Sequence, residues 1–595
     1  MTPVDLSIDS WMESFPAVQS LAAPEAGSWL AAKGKVITKR VVAPKIRGIF
    51  MIATNVMVGS GIVNFLKCND SMALVQTLER RCSGAMEVWN PGRLRYRDPE
   101  AQIQEVLQNM NSFSNLGGIV AAVFILTGAS VSQTTPGSQT QPASTTQPAL
   151  ARAPQAQVTT LTVPGYFSEP SVAVNPTNPK QVVVAYQVPA SIAYSTDAGA
   201  HWQPAANTAP KGYKVSGDVS VTFDNQGHAI LCSIAFDKLS TFNYWGHGAK
   251  TNAVVIRRSM DGGKTWEPSP ITVSLQQQQP GIPFEDKPYI VADTSHGKYA
   301  GNLYIAWSRW SLVDSRMVLS RSTDDGKTWS TPMEIDQIPG LPRDDNGALE
   351  GFDGAVGADS TLYAVWAAGD NIQFTTSRDG GKTFAKVKNI LRTAPTMFAV
   401  QDFDRANGFP QIAVDARSGD HKHAHLYVTW SDYRNGDIDV FCARSVDGGN
   451  KWSAPVRVNN DFVHNGADQF FQWLTVDPVS GAISILFYDR RTDPENEKTL
   501  VTLARSTDGG QTFQNYGWSQ EPFVASEQDF MGDYSGIASF NNRVYGAWAE
   551  DTVPKKKPPV EGKKTSDGSK EDHSADHTIV RVGVADFSSA TAHGQ

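Results

Sequence analysis

The 595-residue chain has four cysteines, at positions 68, 82, 232 and 442, and no Cys-x-x-Cys pair. That spacing argues against a thiolate zinc site and against a disulfide framework. Cys232 and Cys442 fall within apolar runs, "AILCSIAF" and "IDVFCARS", where core thiols are expected. A surplus of positive charge is also lacking. The formal net charge of −8 excludes a broad electrostatic footprint for nucleic acid. The Asp-x-Asp-x-Asp ladder of a calcium loop is absent, and no metal or cofactor is implied. The apolar run Ile119–Leu126 is short for a membrane span, so no stable span is expected in the mature protein.

What the chain does have is one turn, written six times. "STDAGAHW" begins at Ser195, "SMDGGKTW" at Ser259 and "STDDGKTW" at Ser322. "SRDGGKTF" begins at Ser377, "SVDGGNKW" at Ser445 and "STDGGQTF" at Ser506. The common form is Ser-x-Asp-x-Gly-x-x-aromatic. The Asp can accept backbone N–H groups of its own turn, and Gly supplies positive φ. The aromatic residue can pack between neighbouring sheets. This reads as a structural clip rather than a chemical site.

Each clip ends the same grammar of alternating strands: two apolar strands, a third leading into the clip, and a short fourth. Four-stranded antiparallel units repeated at this period make an all-β propeller. First strands start near Pro170, Val219, Lys287, Phe352, Pro410, Phe470 and Tyr534. Seven starts for six clips favour seven blades, with six as the alternative. The last unit lacks a fourth strand, and "AQVTTLTV" at 156–163 is expected to supply it by pairing with 578–587.

The propeller is assigned to 155–588, with a polar, disordered insertion at about 554–577. Residues 1–109 form a non-propeller extension of unknown role. "MNSFSNLGGIVAAVFILTGASVSQ" from Met110 reads as a signal peptide over 110–131, although no basic residue precedes its apolar run. A single membrane anchor is the alternative. Residues 132–154, rich in Gln, Thr, Pro and Ser, read as a flexible linker. A secreted, periplasmic or cell-surface protein is expected.

The six turns are Asp-boxes, and the run from about Gln155 to Phe587 resembles the sialidase (neuraminidase) propeller superfamily. Strand order puts the Asp-boxes on the face opposite any site at the first-strand starts. At that other end the resemblance implies a nucleophile in "DYSG", Tyr534, with Glu350 as its base and Asp218 or Asp286 as the acid. It implies arginines for the sugar carboxylate, drawn from Arg309, Arg434, Arg490 and Arg491. Asp353 and Gln469 join this substrate-binding ring. One departure stands out. Where the family carries Phe-Arg-Ile-Pro, this chain reads "FSEPSVAV", with Glu169 in place of a cation.

The resemblance implies a secreted glycoside hydrolase acting on terminal acidic sugars of glycans, with a glycan or glycoconjugate as its ligand. A non-catalytic propeller binding glycans or proteins is the alternative. It predicts the same side chains spread apart or locked in salt bridges. A glycosidase using two carboxylates, such as Asp286 and Asp353, is a third possibility. Fold alone does not choose among them.

Overall fold

The computed structural model describes four strands within 38–75 and most of residues 150–588. Within the latter, 188, 207, 238–250, 278–282, 343–346, 395–396, 399, 402, 404, 520, 526–529 and 553–576 are not described. The expected signal peptide lies outside the described residues, as does nearly all of the expected insertion. The chain divides into two units, Met1–Ser138 and Gln139–Gln595. The first carries an antiparallel meander of Thr38–Val42, Met51–Val58, Gly61–Cys68 and Ser71–Val75.

The second unit is a ring of seven antiparallel blades. Their first strands are Ser168–Val174, Val215–Phe223, Phe284–Ala292, Leu349–Val356, Gln411–Val414, Gln469–Val476 and Gly536–Phe540. Each first strand contacts the first strands of both neighbours, and Gly536–Phe540 meets Ser168–Val174 to complete the circle. The second strands are apolar on both faces because each is covered by a blade on either side. Val182–Gln187, Ala229–Phe236 and Ile483–Asp489 are buried at every position. Trp307, Trp366, Trp430 and Trp548 occupy equivalent second-strand places and are fully buried. Cys232 and Cys442 are free thiols in this core, and burial pushes Cys442 up to about 12.

The last blade takes its fourth strand from the beginning of the unit. Gln157–Thr160 pairs antiparallel with Thr578–Asp586, with Gln157 opposite Val584 and Thr160 opposite Arg581. The end of the segment expected to be a linker is also ordered: Ala151–Arg152 pairs in parallel with Gln514–Gly517 of blade six. The incoming chain thus lies along the outer edges of two blades. The unpaired backbone groups of those edges explain why a sequence without strand propensity is drawn in.

All six clips have one geometry. In each, the Ser hydroxyl donates to the Asp at 2.7–2.9 Å and accepts the N–H of the Gly four residues on at 2.9 Å. The N–H four residues beyond the Asp closes the loop on its carboxylate, as Thr383 does on Asp379 at 2.9 Å. Burial opposes the charge on Asp379, but the hydrogen bonds from Thr383, Ser377 and Lys382 outweigh it and hold the pKa down to about 2.

Candidate functional site: the propeller hub

The first strands carry a repeated irregularity at the axis. One extra residue is inserted between Ser168 and Ser171, Gly217 and Ser220, Asp286 and Tyr289, Glu350 and Asp353, and Phe470 and Trp473. Such a bulge bends the strand and re-aims a side chain. The first bulged residue is Glu169, Asp218, Lys287, Gly351 or Phe471, each with φ between 47° and 68°. Phe409 and Tyr534 occupy the matching places in blades five and seven, two residues before Gln411 and Gly536. One position per blade therefore faces the hub: Glu, Asp, Lys, Gly, Phe, Phe and Tyr in chain order.

Tyr534 is buried, and its hydroxyl donates to the Val219 carbonyl of blade two at 3.2 Å. Its ring lies 5.6 Å from Trp473. Burial pushes the phenol well above its usual range, and Glu169, Asp218, Asp533 and Asp286 push it further. The phenol is thus surrounded by negative charge, the reverse of what lowers a tyrosine pKa. Glu350 is buried in the first strand of blade four and is not among those charges.

The carboxylates at the hub are linked in two pairs. Glu169 accepts the Asp533 backbone N–H at 3.0 Å and a hydrogen bond from the Gln187 side chain. Burial raises its pKa to about 7, with Asp533 adding to the shift. Asp218 is hydrogen-bonded to Asp286 and accepts the Lys287 N–H at 2.9 Å. Burial, then the charge of Glu169, raises Asp218 to about 7. Asp286 also accepts the Trp310 indole N–H at 2.9 Å. Asp533 is gripped by Arg405, at 2.5 Å and 2.6 Å, and by Asn407 at 2.8 Å.

The remaining residues expected at the site have partners of their own. Arg309 binds the buried Glu285 of its own blade at 2.7 Å. Arg434 binds Asp432, and Arg491 binds Asp489 at 2.6 Å. Arg490 is fully buried, donating to Thr499 at 3.1 Å and to the Gln401 carbonyl at 2.8 Å. Gln469 lies in a buried amide and carboxylate network with Asn459, Asp461 and Asp489. Asp353 brackets two blades, accepting the Ile412 and Gly354 N–H groups at 2.8 Å each, and burial raises it to about 7. Tyr534, Asp218 and Asp286 are therefore brought together, whereas Arg309, Arg434 and Arg491 are each paired with a carboxylate of their own blade, Arg434 also donating to the Arg392 carbonyl of blade four at 3.1 Å.

Sequence reasoning placed Lys287 and Asp533 at the axial starts of first strands, within "FEDK" and "GDYS", but gave them no role, and it missed Phe409, Trp473 and Arg405. The available signal was the alignment of first strands: "SEPSVAV", "GDVSVTF", "DKPYIVA", "EGFDGAV", "GFPQIAV", "FFQWLTV" and "DYSGIAS" align at their second letter, which is the bulged residue in five of them. Lys287, Phe409, Trp473 and Tyr534 line an axial cavity with Tyr289 and Gln411. Its empty space is about 290 Å³, counting the solvent at its mouth. Among the described residues no group of three or more His, Cys, Asp or Glu side chains could hold a metal ion, and no helix is long and apolar enough to cross a membrane.

No family model matches the chain. A sialidase of Bacteroides fragilis is 30% identical over 325 residues, covering 50% of this chain and 54% of that protein. The chain thus spans about half the length of that relative. Among solved structures, the Ruminococcus gnavus intramolecular trans-sialidase gives a TM-score of 0.40 at 14% identity, covering 60% of this chain and 95% of that one. The leech intramolecular trans-sialidase gives 0.40 at 14%, covering 79% and 83%. An alpha-L-arabinofuranosidase from Fusarium graminearum gives 0.38 at 14%, covering 64% and 96%. These likenesses are too distant to bear on chemistry. The repeated clips and the seven four-stranded blades make this chain a seven-bladed β-propeller that is similar over 325 residues to the Bacteroides sialidase.

Proposed function

We propose that the chain is a glycan-binding propeller that does not hydrolyse sialosides. The observation that carries this reading is the state of Tyr534. A nucleophilic phenol needs a base or a cation beside it. Here the hydroxyl is spent on the Val219 carbonyl, and burial with the surrounding carboxylates holds the phenol well above its usual range even with the Lys287 ammonium over its ring. The arginines that would hold an acidic sugar already neutralise Glu285, Asp432 and Asp489. A glycan rather than a protein ligand is favoured by the similarity to a sialidase and by the narrow, aromatic-walled hub.

The test is direct. The purified chain is incubated with a fluorogenic sialoside and, separately, screened for binding to immobilised glycans. We expect binding without release of fluorophore. Turnover that Tyr534→Phe abolishes would overturn the proposal.

A second reading is favoured by the Asp218–Asp286 pair. A carboxyl that keeps its proton near neutrality can act as a general acid, and its partner as a base or nucleophile. Hydrolysis of neutral glycosides, lost in Asp218→Asn, would support it. Export belongs to the proposal as well, and mass spectrometry of the mature N-terminus tests it: a start within about 15–30 residues after Met110 supports it, and a start at Met1 refutes it.

A further inference from the structure

We propose that Lys287 is the anchoring donor of the hub and that it takes a hydroxyl oxygen of an uncharged sugar. The proposal rests on the glycan-binding reading above and names the ligand class. Lys287 is 7% exposed. Its ammonium has no hydrogen-bond acceptor among the described residues. It lies instead over two aromatic rings, 4.1 Å from the centre of Phe409 and 4.3 Å from that of Tyr534. The bulge in blade three, with φ of 49° at Lys287, directs this side chain to the axis.

Burying an ammonium without acceptors is costly, and ring faces recover only part of its lost hydration. Its donors are complete only when an oxygen enters the cavity. The cavity supplies the place, because Lys287, Phe409 and Tyr534 line it together with Trp473 and Tyr289. Its enclosed part has room for little more than one water-sized group, which suits a single hydroxyl.

Charge selects the class. Glu169 and Asp218 already act on Lys287, and Asp286 and Asp533 stand beside them. Arg405 holds Asp533 through two hydrogen bonds. A ligand carboxylate at Lys287 would add a further negative charge to four carboxyl groups. A hydroxyl supplies the missing acceptor without that repulsion.

The experiment uses the full chain and titration calorimetry with lactose, N-acetyllactosamine and sialyllactose, on wild type and Lys287→Met. We expect the neutral sugars to bind at least tenfold more tightly than sialyllactose, and Lys287→Met to weaken them at least tenfold. A crystal soaked in lactose should place a sugar oxygen within hydrogen-bond distance of the Lys287 Nζ, a readout that does not depend on the variant folding. Tighter binding of sialyllactose overturns the neutral class. Sugar bound away from Lys287 overturns the anchor and leaves glycan binding standing. Failure of all three sugars, and of the immobilised glycans, removes the glycan-binding reading and this inference with it.

Discussion

The phenol of Tyr534 in blade seven donates to the backbone carbonyl of Val219 in blade two, reaching past the whole of blade one. The bond makes Tyr534 a strut across the hub. Tyr534→Phe keeps the ring against Trp473 and beneath Lys287, and removes only the donor. The expected loss is about 1 kcal/mol, the size of one neutral hydrogen bond. Urea denaturation measures it. A loss of several kcal/mol would mean that the hydroxyl supports more than this carbonyl.

The hub makes stability fall with rising pH. Glu169, Asp218 and Asp353 have pKa values of about 7, above their unfolded range near 4. Their contribution is fully present below the unfolded value and is lost as pH rises through 7. The clips work the other way. Asp197 and Asp379 are held at about 2, so their contribution is present above pH 4 and lost as pH falls toward 2. The melting temperature is therefore expected to peak near pH 4 and to fall between about pH 4 and 7. Scanning calorimetry across pH 2.5–9 checks this, and Asp218→Asn should flatten the alkaline side. A maximum above pH 8 would contradict the assignment.

The clips are expected to matter through shape more than charge. Gly449 has φ of 84°, and a Cβ there would stand 2.4 Å from the Phe374 ring of the preceding blade. Gly449→Ala should cost about 2–4 kcal/mol, combining backbone strain with a forced shift of a packed ring. Asp447→Ala, which leaves the backbone path open, should cost about 1–2 kcal/mol. Equal losses in the two variants would show that the carboxylate, not the close approach, sets the turn.

Ring closure can be tested by cutting it. Removal of residues up to 161 takes away both the strand on blade six and the closing strand on blade seven. The exposed edge and uncovered core should lower stability by about 3–5 kcal/mol. Thermal unfolding of the shortened chain reports it directly. An unchanged midpoint would mean that the ring holds without its clasp.

How far the sequence revealed this protein depended on whether a feature was local. The clips were legible because each is a closed loop of side chain and backbone within eight residues. The clasp was legible because one blade was a strand short and one strand had no blade. The hub was legible in part: Glu169, Asp218, Asp286 and Tyr534 stood at first-strand starts, whereas the aromatic positions were hidden because the bulge that aligns five of the seven blades appears in register and not in composition. The arginines misled for a related reason. Asp432-x-Arg434 and Asp489-x-Arg491 are ion pairs between residues two apart at a strand end. That local bond consumes the charge that a site at the axis would need. Arg405 was invisible because its partner, Asp533, lies 128 residues away.

The pairing of Thr160 with Arg581 joins residues 421 apart in the chain. During synthesis the closing strand Gln157–Thr160, made before any blade, must wait unpaired until the last strand has left the ribosome. The ring is therefore completed only after translation has passed every blade. A chain released early would present that waiting strand to another molecule in the same condition, so premature termination should yield dimers and aggregates rather than a six-bladed monomer.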